Sequence, residues 1–178
     1  PYRGWKMTLF EGGIKVPTFM VWPGRIEANS RYDDPVGHVD LFATAAAAAG
    51  AELPADREYD GTDLIAHLEG DLNIAESRPL YWRSGHYKAV QAGGWKLQTA
   101  QRPDKKWLFD LNSDPTEQRN VADNYPGKLA EMMLLLNEID SRQREPLWPS
   151  LIETPIPIDA PLSSAKLNLA EEHVYWAN

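Results

Sequence analysis

Two cations near the start of the chain, Arg3 and Lys6, are the residues whose types and spacing are best suited to chemistry. Glu11 and the paired glycines Gly12 and Gly13 follow them. A lysine is a compact positive charge on a flexible stem, which suits it to hold one oxygen of a tetrahedral anion. Paired glycines let the backbone turn tightly or approach another group, because no Cβ obstructs it. The pattern predicts an anion-binding loop, and a surface loop with two solvated cations is the alternative that these residues leave open.

Composition and charge narrow the function classes. The chain has 178 residues, of which 43% are hydrophobic and 25% charged, a globular composition sufficient for one domain or part of a larger one. The first 25 residues carry four basic side chains and one acidic one, a net charge of +3, within a total of −8. This balance disfavours nucleic acid and anionic membranes as partners and places any anion site near the start. The absence of cysteine excludes disulfides and thiolate metal sites.

The elements that must position the loop begin with an apolar run at 18–22, which predicts a short buried strand. A brief strand at 36–39, a helix at 41–49 with Asp40 as its N-cap, and a short helix at 63–69 are predicted next. His38 and Asp40 are two residues apart and would share a face only on a strand, where they could form a catalytic or metal-binding pair. The capping role of Asp40 favours the structural interpretation instead.

Short aromatic and β-branched runs follow and predict a four-stranded antiparallel meander, with Gly93-Gly94 as a hairpin turn. The runs lie at 80–83, 87–91, 95–99 and 107–111. His86 lies in the first turn, as a solvated loop residue or, if this edge faces a cleft, as a substrate contact. A helix at 126–144 carries an apolar stripe predicted to pack on the meander, formed by Leu129, Met132, Met133, Leu136 and Ile139.

The predicted organisation has three parts: the anion loop with its strand, helix and linker at 1–75, the sheet-and-helix subdomain at 76–146, and an extended strap at 147–178. Prolines punctuate the strap, which is predicted to have no regular element before 165–172. Its apolar end at 173–178 is predicted to dock back on the body.

Two long motifs carry a resemblance to a known family. The string Arg-Gly-x-Lys-x-x-x-x-Glu-Gly-Gly-x-Lys-Val-Pro, continuing to Trp22-Pro23-Gly24, resembles the second signature region of the sulfatases, in the alkaline phosphatase superfamily; Lys15 stands where Arg is commoner. Residues 108–121 resemble the family's Leu-Tyr/Phe-Asp-Leu-x-x-Asp-Pro-x-Glu-x-x-Asn-Leu/Val segment. The acids of that segment are interpreted as architecture, because Asp114-Pro115 breaks a strand and Glu117 and Asn120 can bond free backbone groups.

The resemblance implies an α+β chain: the end of a large α/β sulfatase domain, followed by a small domain of four-stranded antiparallel sheet packed on a C-terminal helix. It assigns Lys6 to the sulfate being cleaved. Arg3 in the same basic loop, and His86 if its turn faces the cleft, are candidate substrate-binding residues. The family's nucleophile is a formylglycine, and calcium neutralises the sulfate oxygens; the resemblance places both upstream of this chain, which itself is expected to bind no metal. Implied partners are a sulfate-ester substrate, either an aryl sulfate or a sulfated glycan, and the remainder of the sulfatase domain. The resemblance also implies a periplasmic or secreted bacterial enzyme.

No nucleophile signature of the form Cys/Ser-x-Pro-x-Arg occurs in the chain. Ser113-x-Pro115-x-Glu117 imitates it but has an acid in place of the arginine, so it is rejected as a nucleophile site. The 178 residues alone are therefore predicted to be inactive, as a piece of a longer enzyme. Two alternatives stay open: a phosphonate or phosphodiester hydrolase of the same superfamily, and a non-catalytic module that binds sulfated glycans.

Overall fold

A four-stranded antiparallel sheet and a 16-residue helix form the centre of the chain. The computed structural model describes residues 1–69, 78–148, 150–161 and 168–177. Pro1–Val16 and Tyr81–Asn178 form one compact unit, and Pro17–Leu80 form a second. The predicted boundary near residue 75 lies outside the described residues.

The helices and strands have the following bounds. The helices are α1 (Glu11–Ile14), α2 (Asp40–Ala48), α3 (Leu64–Leu68) and α4 (Pro126–Ser141). The strands are β1 (Leu80–Ser84), β2 (Tyr87–Ala92), β3 (Trp95–Gln101), β4 (Asp104–Asp110), β5 (Glu153–Pro157) and β6 (His173–Ala177). In the part of the chain that the structure describes, no helix is long and apolar enough to cross a membrane.

The predicted meander is confirmed, with the strand order β1-β2-β3-β4. Gly93 and Gly94 form the turn between β2 and β3, with φ of 54° and 77°, values at which glycine avoids the steric penalty that a side chain would bring. Strand β4 begins earlier than predicted because its pairing with β3 extends to the pair Gln101↔Asp104.

Both faces of this sheet are buried. Because successive side chains of a strand point to opposite faces, Val90, Leu97 and Leu108 face α4, where Met132 and Leu136 are each 2% exposed. The predicted packing of the helical stripe on the meander is thus confirmed. The other face carries Tyr87, Ala89, Ala100, Trp107 and Phe109, which pack against Leu9 and Phe10 and against Ile156, Ile158 and Val174.

The tail departs from the prediction of an extended strap. Strands β5 and β6 pair as an antiparallel hairpin in the register Ile156↔Val174. Prolines are tolerated here because an edge strand does not need every backbone N–H for its ladder. The docking predicted for the chain end is confirmed by Val174, which is fully buried. The predicted element at 165–172 falls partly outside the described residues, and 168–172 contains no helix.

Three predictions within Pro17–Leu80 are wrong. Residues 18–22 and 36–39 form no strands, and Phe19 and Val21 are 89% and 85% exposed. A strand needs a neighbour to bond its N–H and C=O groups, and neither run pairs with a described strand. Helix α2 agrees with the prediction, but Asp40 does not cap it: Val39 occupies the N-cap position, and the Asp40 carboxylate bonds elsewhere.

Candidate functional site

Lys6 lies at the tip of a tight turn. The Thr8 N–H donates to the Trp5 carbonyl at 2.7 Å, and the Thr8 hydroxyl donates to the same carbonyl at 2.9 Å. The Lys6 side chain is exposed, and no described residue gives it a hydrogen bond, ion pair or ring contact. The turn therefore presents an ammonium group that is free to meet an external anion.

The paired glycines make the loop around Lys6 compact. The Gly12 N–H donates to the Arg3 carbonyl at 2.7 Å, and a Cβ at Gly12 would lie 2.5 Å from the carbonyl oxygens of Arg3 and Gly4. A Cβ at Gly13 would lie 2.0 Å from the Thr8 carbonyl oxygen. These distances leave no room for a side chain, which supports the prediction that the glycines allow close backbone approach.

Arg3 is held by acids of the C-terminal hairpin. Its Nε and Nη2 atoms donate to the two carboxylate oxygens of Asp159 at 2.8 and 2.9 Å, and Nη2 also pairs with Glu172. The guanidinium lies over the Phe10 ring, 4.9 Å from its centroid. Its Nε and Nη2 donors are engaged, so a substrate anion at these atoms would have to compete with two carboxylates.

His86 lies in the exposed turn between β1 and β2. It lines a small pocket together with Arg102, Glu153 and Tyr175, where Arg102 pairs with Glu153 and lies 5.2 Å from the Tyr175 ring centroid. No hydrogen bond or ion pair among the described residues joins His86 to Lys6 or Arg3. The substrate-binding assignments of Arg3 and His86 stay predictions.

A buried polar network beneath the loop was not predicted. Lys96 in β3 is fully buried, and its Nζ lies 2.8 Å from Glu11 Oε1 and 3.0 Å from Glu117 Oε1. In the sequence, Lys96 and Gln98 alternate with Leu97, the pattern of a solvent-facing side of a strand. This face of the sheet is buried only because the loop covers it. The alternation within β3 therefore could not predict that Lys96 is buried.

The segment 108–121 is architectural, as interpreted. Asn120 Oδ1 accepts the Leu108 N–H at 2.9 Å, and its Nδ2 donates to the Lys106 carbonyl at 2.9 Å. Glu117 is fully buried and accepts the Glu11 N–H. Burial raises the pKa of Glu117, and the nearby Lys96 charge opposes that rise.

Asp40 has a structural partner, and His38 does not join it. The fully buried Asp40 carboxylate accepts hydrogen bonds from Arg78, from the Gly37 N–H at 2.7 Å and from the Thr62 N–H at 3.0 Å. Burial by itself would raise the pKa of Asp40, but these hydrogen bonds and the Arg78 charge lower it. His38 is exposed, which agrees with the structural interpretation of this segment.

The comparisons with known proteins agree with this architecture. A family model for the C-terminal part of N-sulphoglucosamine sulphohydrolase matches residues 3–144. Arylsulfatase G of Canis lupus familiaris is 45% identical over 159 residues, covering 75% of this chain and 29% of the relative. Steryl-sulfatase of Rattus norvegicus is 38% identical over 114 residues, covering 64% of this chain and 19% of the relative. An N-acetylgalactosamine-6-O-sulfatase of Bacteroides thetaiotaomicron is 26% identical and 79% of this chain aligns with 30% of it.

Solved structures show the same fold. The crystal structure of Ps i-CgsB in complex with k-i-k-neocarrahexaose matches with a TM-score of 0.70 at 27% identity, over 79% of this chain and 32% of that one. A protein studied for the metabolism of multiple glycosaminoglycans by Bacteroides thetaiotaomicron matches with a TM-score of 0.64 at 26% identity, over the same shares. The chain thus spans less than a third of the length of each of these relatives. With 142 of its residues inside the family match, the chain belongs to the N-sulphoglucosamine sulphohydrolase C-terminal family of the sulfatases, in the alkaline phosphatase superfamily.

Proposed function

We propose that the protein is a sulfuric-ester hydrolase and that Lys6 binds the sulfate group of its substrate. The observation that carries this proposal is the contrast between Lys6 and its basic neighbours. Lys6 is exposed and without a side-chain partner in the described ranges. Arg3 is paired with Asp159, and Lys15 lies 3.7 Å from Glu11 and over the Tyr2 ring.

The hydrogen bonds that hold the loop support a catalytic role for the exposed ammonium group of Lys6. Charge develops on the sulfate oxygens and the leaving oxygen as a sulfate ester is cleaved, and a positioned cation stabilises it without reorganising during the reaction. The turn bonds of Thr8 and the backbone bond from Gly12 to Arg3 fix the main chain on both sides of Lys6. Only the flexible part of the lysine side chain has to adjust to the substrate.

The described residues offer no site for the family's calcium ion, and the sequence offers none for its formylglycine. Among the described residues, no group of three or more histidines, aspartates or glutamates lies together in a way that could hold a metal ion. The sequence has no cysteine and no Cys/Ser-x-Pro-x-Arg string from which the family's formylglycine would arise. We assign calcium and formylglycine to parts of the protein outside these 178 residues, and we assign sulfate binding to this chain.

The names of the relatives support a proposal for the substrate class. Their names refer to steryl, aryl and N-acetylgalactosamine sulfates, and one structural neighbour holds a neocarrahexaose. We propose a sulfate ester on a ring, either a sulfated glycan or an aryl sulfate, as the substrate. The remainder of the sulfatase domain is the proposed partner of the exposed apolar side chains Phe19, Val21 and Phe42.

His86 and Arg3 have different places in this proposal. His86 is exposed and could reach a substrate group beyond the sulfate, so His86→Ala is expected to raise KM and leave kcat nearly unchanged. The engaged guanidinium of Arg3 supports a role in holding the loop rather than in direct contact with sulfate. An unchanged KM in the His86 variant would remove that residue from the substrate site.

The test is Lys6→Ala in the full-length protein, assayed on an aryl sulfate. We expect turnover to fall by at least about 10²-fold, the usual effect of losing one charge-stabilising donor. Lys106→Ala, at an exposed lysine of β4, is the matched control. Turnover by this variant is expected to stay within about twofold of the wild type, since substitutions at exposed positions change the free energy of unfolding by about 0.5 kcal/mol or less. Unchanged kinetics for Lys6→Ala would remove Lys6 from the site.

The same assays separate the alternatives. Hydrolysis of a phosphodiester or phosphonate in preference to the sulfate would move the protein to phosphoryl chemistry, and saturable binding of a sulfated glycan without hydrolysis would make it a binding module. The 178-residue chain by itself is expected to turn over no aryl sulfate with calcium present. Measurable calcium-dependent turnover by that chain would contradict the division of roles proposed above.

A further inference from the structure

Lys96 is a lysine with no exposed surface at all. Lysine is almost never fully buried without a partner, because removing an ammonium group from water is unfavourable unless charges and hydrogen bonds replace the solvent. Lys96 lies in β3, in the middle of the sheet. Its environment is therefore built around its charge.

The partners of Lys96 come from two distant segments of the chain. Its Nζ lies 2.8 Å from Oε1 of Glu11, the first residue of α1, and 3.0 Å from Oε1 of Glu117, in the segment between β4 and α4. The Trp82 ring of β1 lies beneath the ammonium, with its centroid at 5.9 Å. One cation thus ties α1 to the sheet.

The remaining polar atoms around Lys96 are satisfied by one another. The Glu11 N–H donates to Glu117 Oε2. The Gln98 amide donates to Glu117 Oε1 at 3.1 Å, and the Tyr87 hydroxyl donates to Gln98 Oε1 at 2.6 Å. The buried network, as we call Glu11, Tyr87, Lys96, Gln98 and Glu117, has no unsatisfied buried side-chain atom within the described part of the chain.

The buried network grips the loop of Lys6 at two points. One is Glu11, through its carboxylate and its backbone N–H. The other is Leu9, whose N–H donates to the Tyr87 hydroxyl at 3.0 Å. From α1, the Gly12 N–H reaches back to the Arg3 carbonyl at 2.7 Å, so both sides of the turn at Trp5–Thr8 are tied to residues that the network fixes.

Stability alone does not account for a buried network of this kind. A buried ion pair is often no more stabilising than well-packed apolar residues of the same volume, and the best-attested use of such groups is to fix one arrangement. Glu117 also adopts a φ of 58°, in the left-handed region that is uncommon for residues other than glycine. Its carboxylate is thereby held where it meets Lys96, Gln98 and the Glu11 N–H at once.

We propose that Lys96 is a positioning residue: through Glu11 and Glu117 it fixes the turn that presents Lys6 to the substrate anion. Its effect on turnover rests on the proposed function of Lys6, whereas its effect on the loop does not. The proposal has two parts that can be tested separately. The first is that Lys96 orders the segment at 5–13, and the second is that Lys6 needs this ordered segment to act on the substrate.

The experiment is Lys96→Met in the full-length protein, with two measurements. Hydrogen–deuterium exchange of peptides spanning 5–13 is expected to be faster, because the amides of Thr8 and Gly12 lose a fixed scaffold. Turnover of an aryl sulfate is expected to fall about 10- to 10²-fold, the range for a misplaced catalytic group. In this background Lys6→Ala is expected to reduce turnover by less than it does in the wild type, by the factor that Lys96→Met has already lost, so the two substitutions are non-additive.

Lys88→Met is the matched control. Lys88 lies on the neighbouring strand β2 and pairs with Asp140 of α4 at 2.5 Å, so its loss removes a lysine ion pair from the same sheet without touching the loop. Exchange at 5–13 and the effect of Lys6→Ala are expected to match the wild type in this variant.

The outcomes distinguish the two proposals. If Lys6→Ala has no effect in the wild type while Lys96→Met loosens the loop, the function proposed for Lys6 fails and the positioning role of Lys96 stands. If Lys6→Ala reduces turnover equally in both backgrounds and exchange at 5–13 is unchanged, the positioning role is overturned. Should Lys96→Met fail to fold, Glu117→Gln decides: it keeps the Lys96–Glu11 pair and is expected to give faster exchange at 5–13, and unchanged exchange would overturn the proposal.

Discussion

Arg3 and Asp159 face each other with two parallel hydrogen bonds, Nε to Oδ1 at 2.8 Å and Nη2 to Oδ2 at 2.9 Å, although 156 residues separate them in the sequence. The indole N–H of Trp5 also donates to the Pro157 carbonyl, at 2.8 Å. The loop that carries Lys6 is thus clasped between the sheet and the C-terminal hairpin. Asp159 lies beyond residues 3–144, to which the family match extends.

The first prediction concerns this clasp. Arg3→Ala is expected to lower the free energy of unfolding by about 1.5–3 kcal/mol, because it removes charged hydrogen bonds at a side chain only 13% exposed. Asp159→Asn is expected to lower it by about 1 kcal/mol or less, since the Asp159 side chain is 59% exposed and solvent screens its charge. Chemical denaturation of both variants checks the order, and an equal loss in the two would contradict a clasp centred on Arg3.

The second prediction concerns the closeness of the loop backbone. Gly12→Ala places a Cβ 2.5 Å from two carbonyl oxygens, and overpacking of this kind destabilises proteins by about 1–3 kcal/mol. Gly127→Ala is the control, because nothing lies within 4 Å of a Cβ at that position in α4. It is expected to stabilise the chain by up to about 1 kcal/mol through helix propensity. Thermal unfolding measures both, and a neutral Gly12→Ala would show that the loop opens at little cost.

The third prediction concerns acid stability and the pair between Asp40 and Arg78. The pKa of Asp40 in the folded chain lies below its ordinary value of 3.8. The stabilisation from this pair is therefore present above that value and is lost as the pH falls through the lower folded pKa. Asp40→Asn is expected to remove this part of the pH dependence and to lower stability at pH 7 by about 1.5–3 kcal/mol.

Glu117 is expected to contribute a pH dependence of stability opposite in sign to that of Asp40. Burial raises its folded pKa above the ordinary 4.5, so its contribution is present below that value and is lost as the pH rises through the folded pKa. Denaturation curves recorded from acid to neutral pH should show opposite changes of slope in Asp40→Asn and Glu117→Gln. Parallel curves for the two variants would contradict the assigned directions.

The sequence by itself determined the elements whose signals are local. Alternating apolar runs with Gly93-Gly94 between them predicted the meander, and the stripe on α4 predicted the face that packs on it. The long motifs at 3–24 and 108–121 indicated the sulfatase family, and composition placed the excess positive charge beside Lys6. These features depend on spacing within one segment, so the linear chain displays them.

The tertiary structure decided the features that depend on contacts between distant segments, such as strand pairing, burial and hydrogen-bond partners. The apolar run at 18–22 has the composition of a strand, yet Phe19 and Val21 are exposed because no described strand bonds to it. Asp40 has the type and place of a helix cap, but Arg78 and the backbone of Gly37 and Thr62 take its carboxylate.

Lys96 shows the physical reason most clearly. Its strand pattern is that of a solvent-facing lysine, and it becomes a buried cation only when the loop at Leu9–Glu11 closes over the sheet. Burial is a property of the covering segment as much as of the residue covered, and charge pairing across 85 residues cannot be deduced from local spacing. The sequence therefore predicted an anion-binding role for Lys6, which the structure leaves exposed, and only the fold revealed Lys96, which is buried beneath that loop.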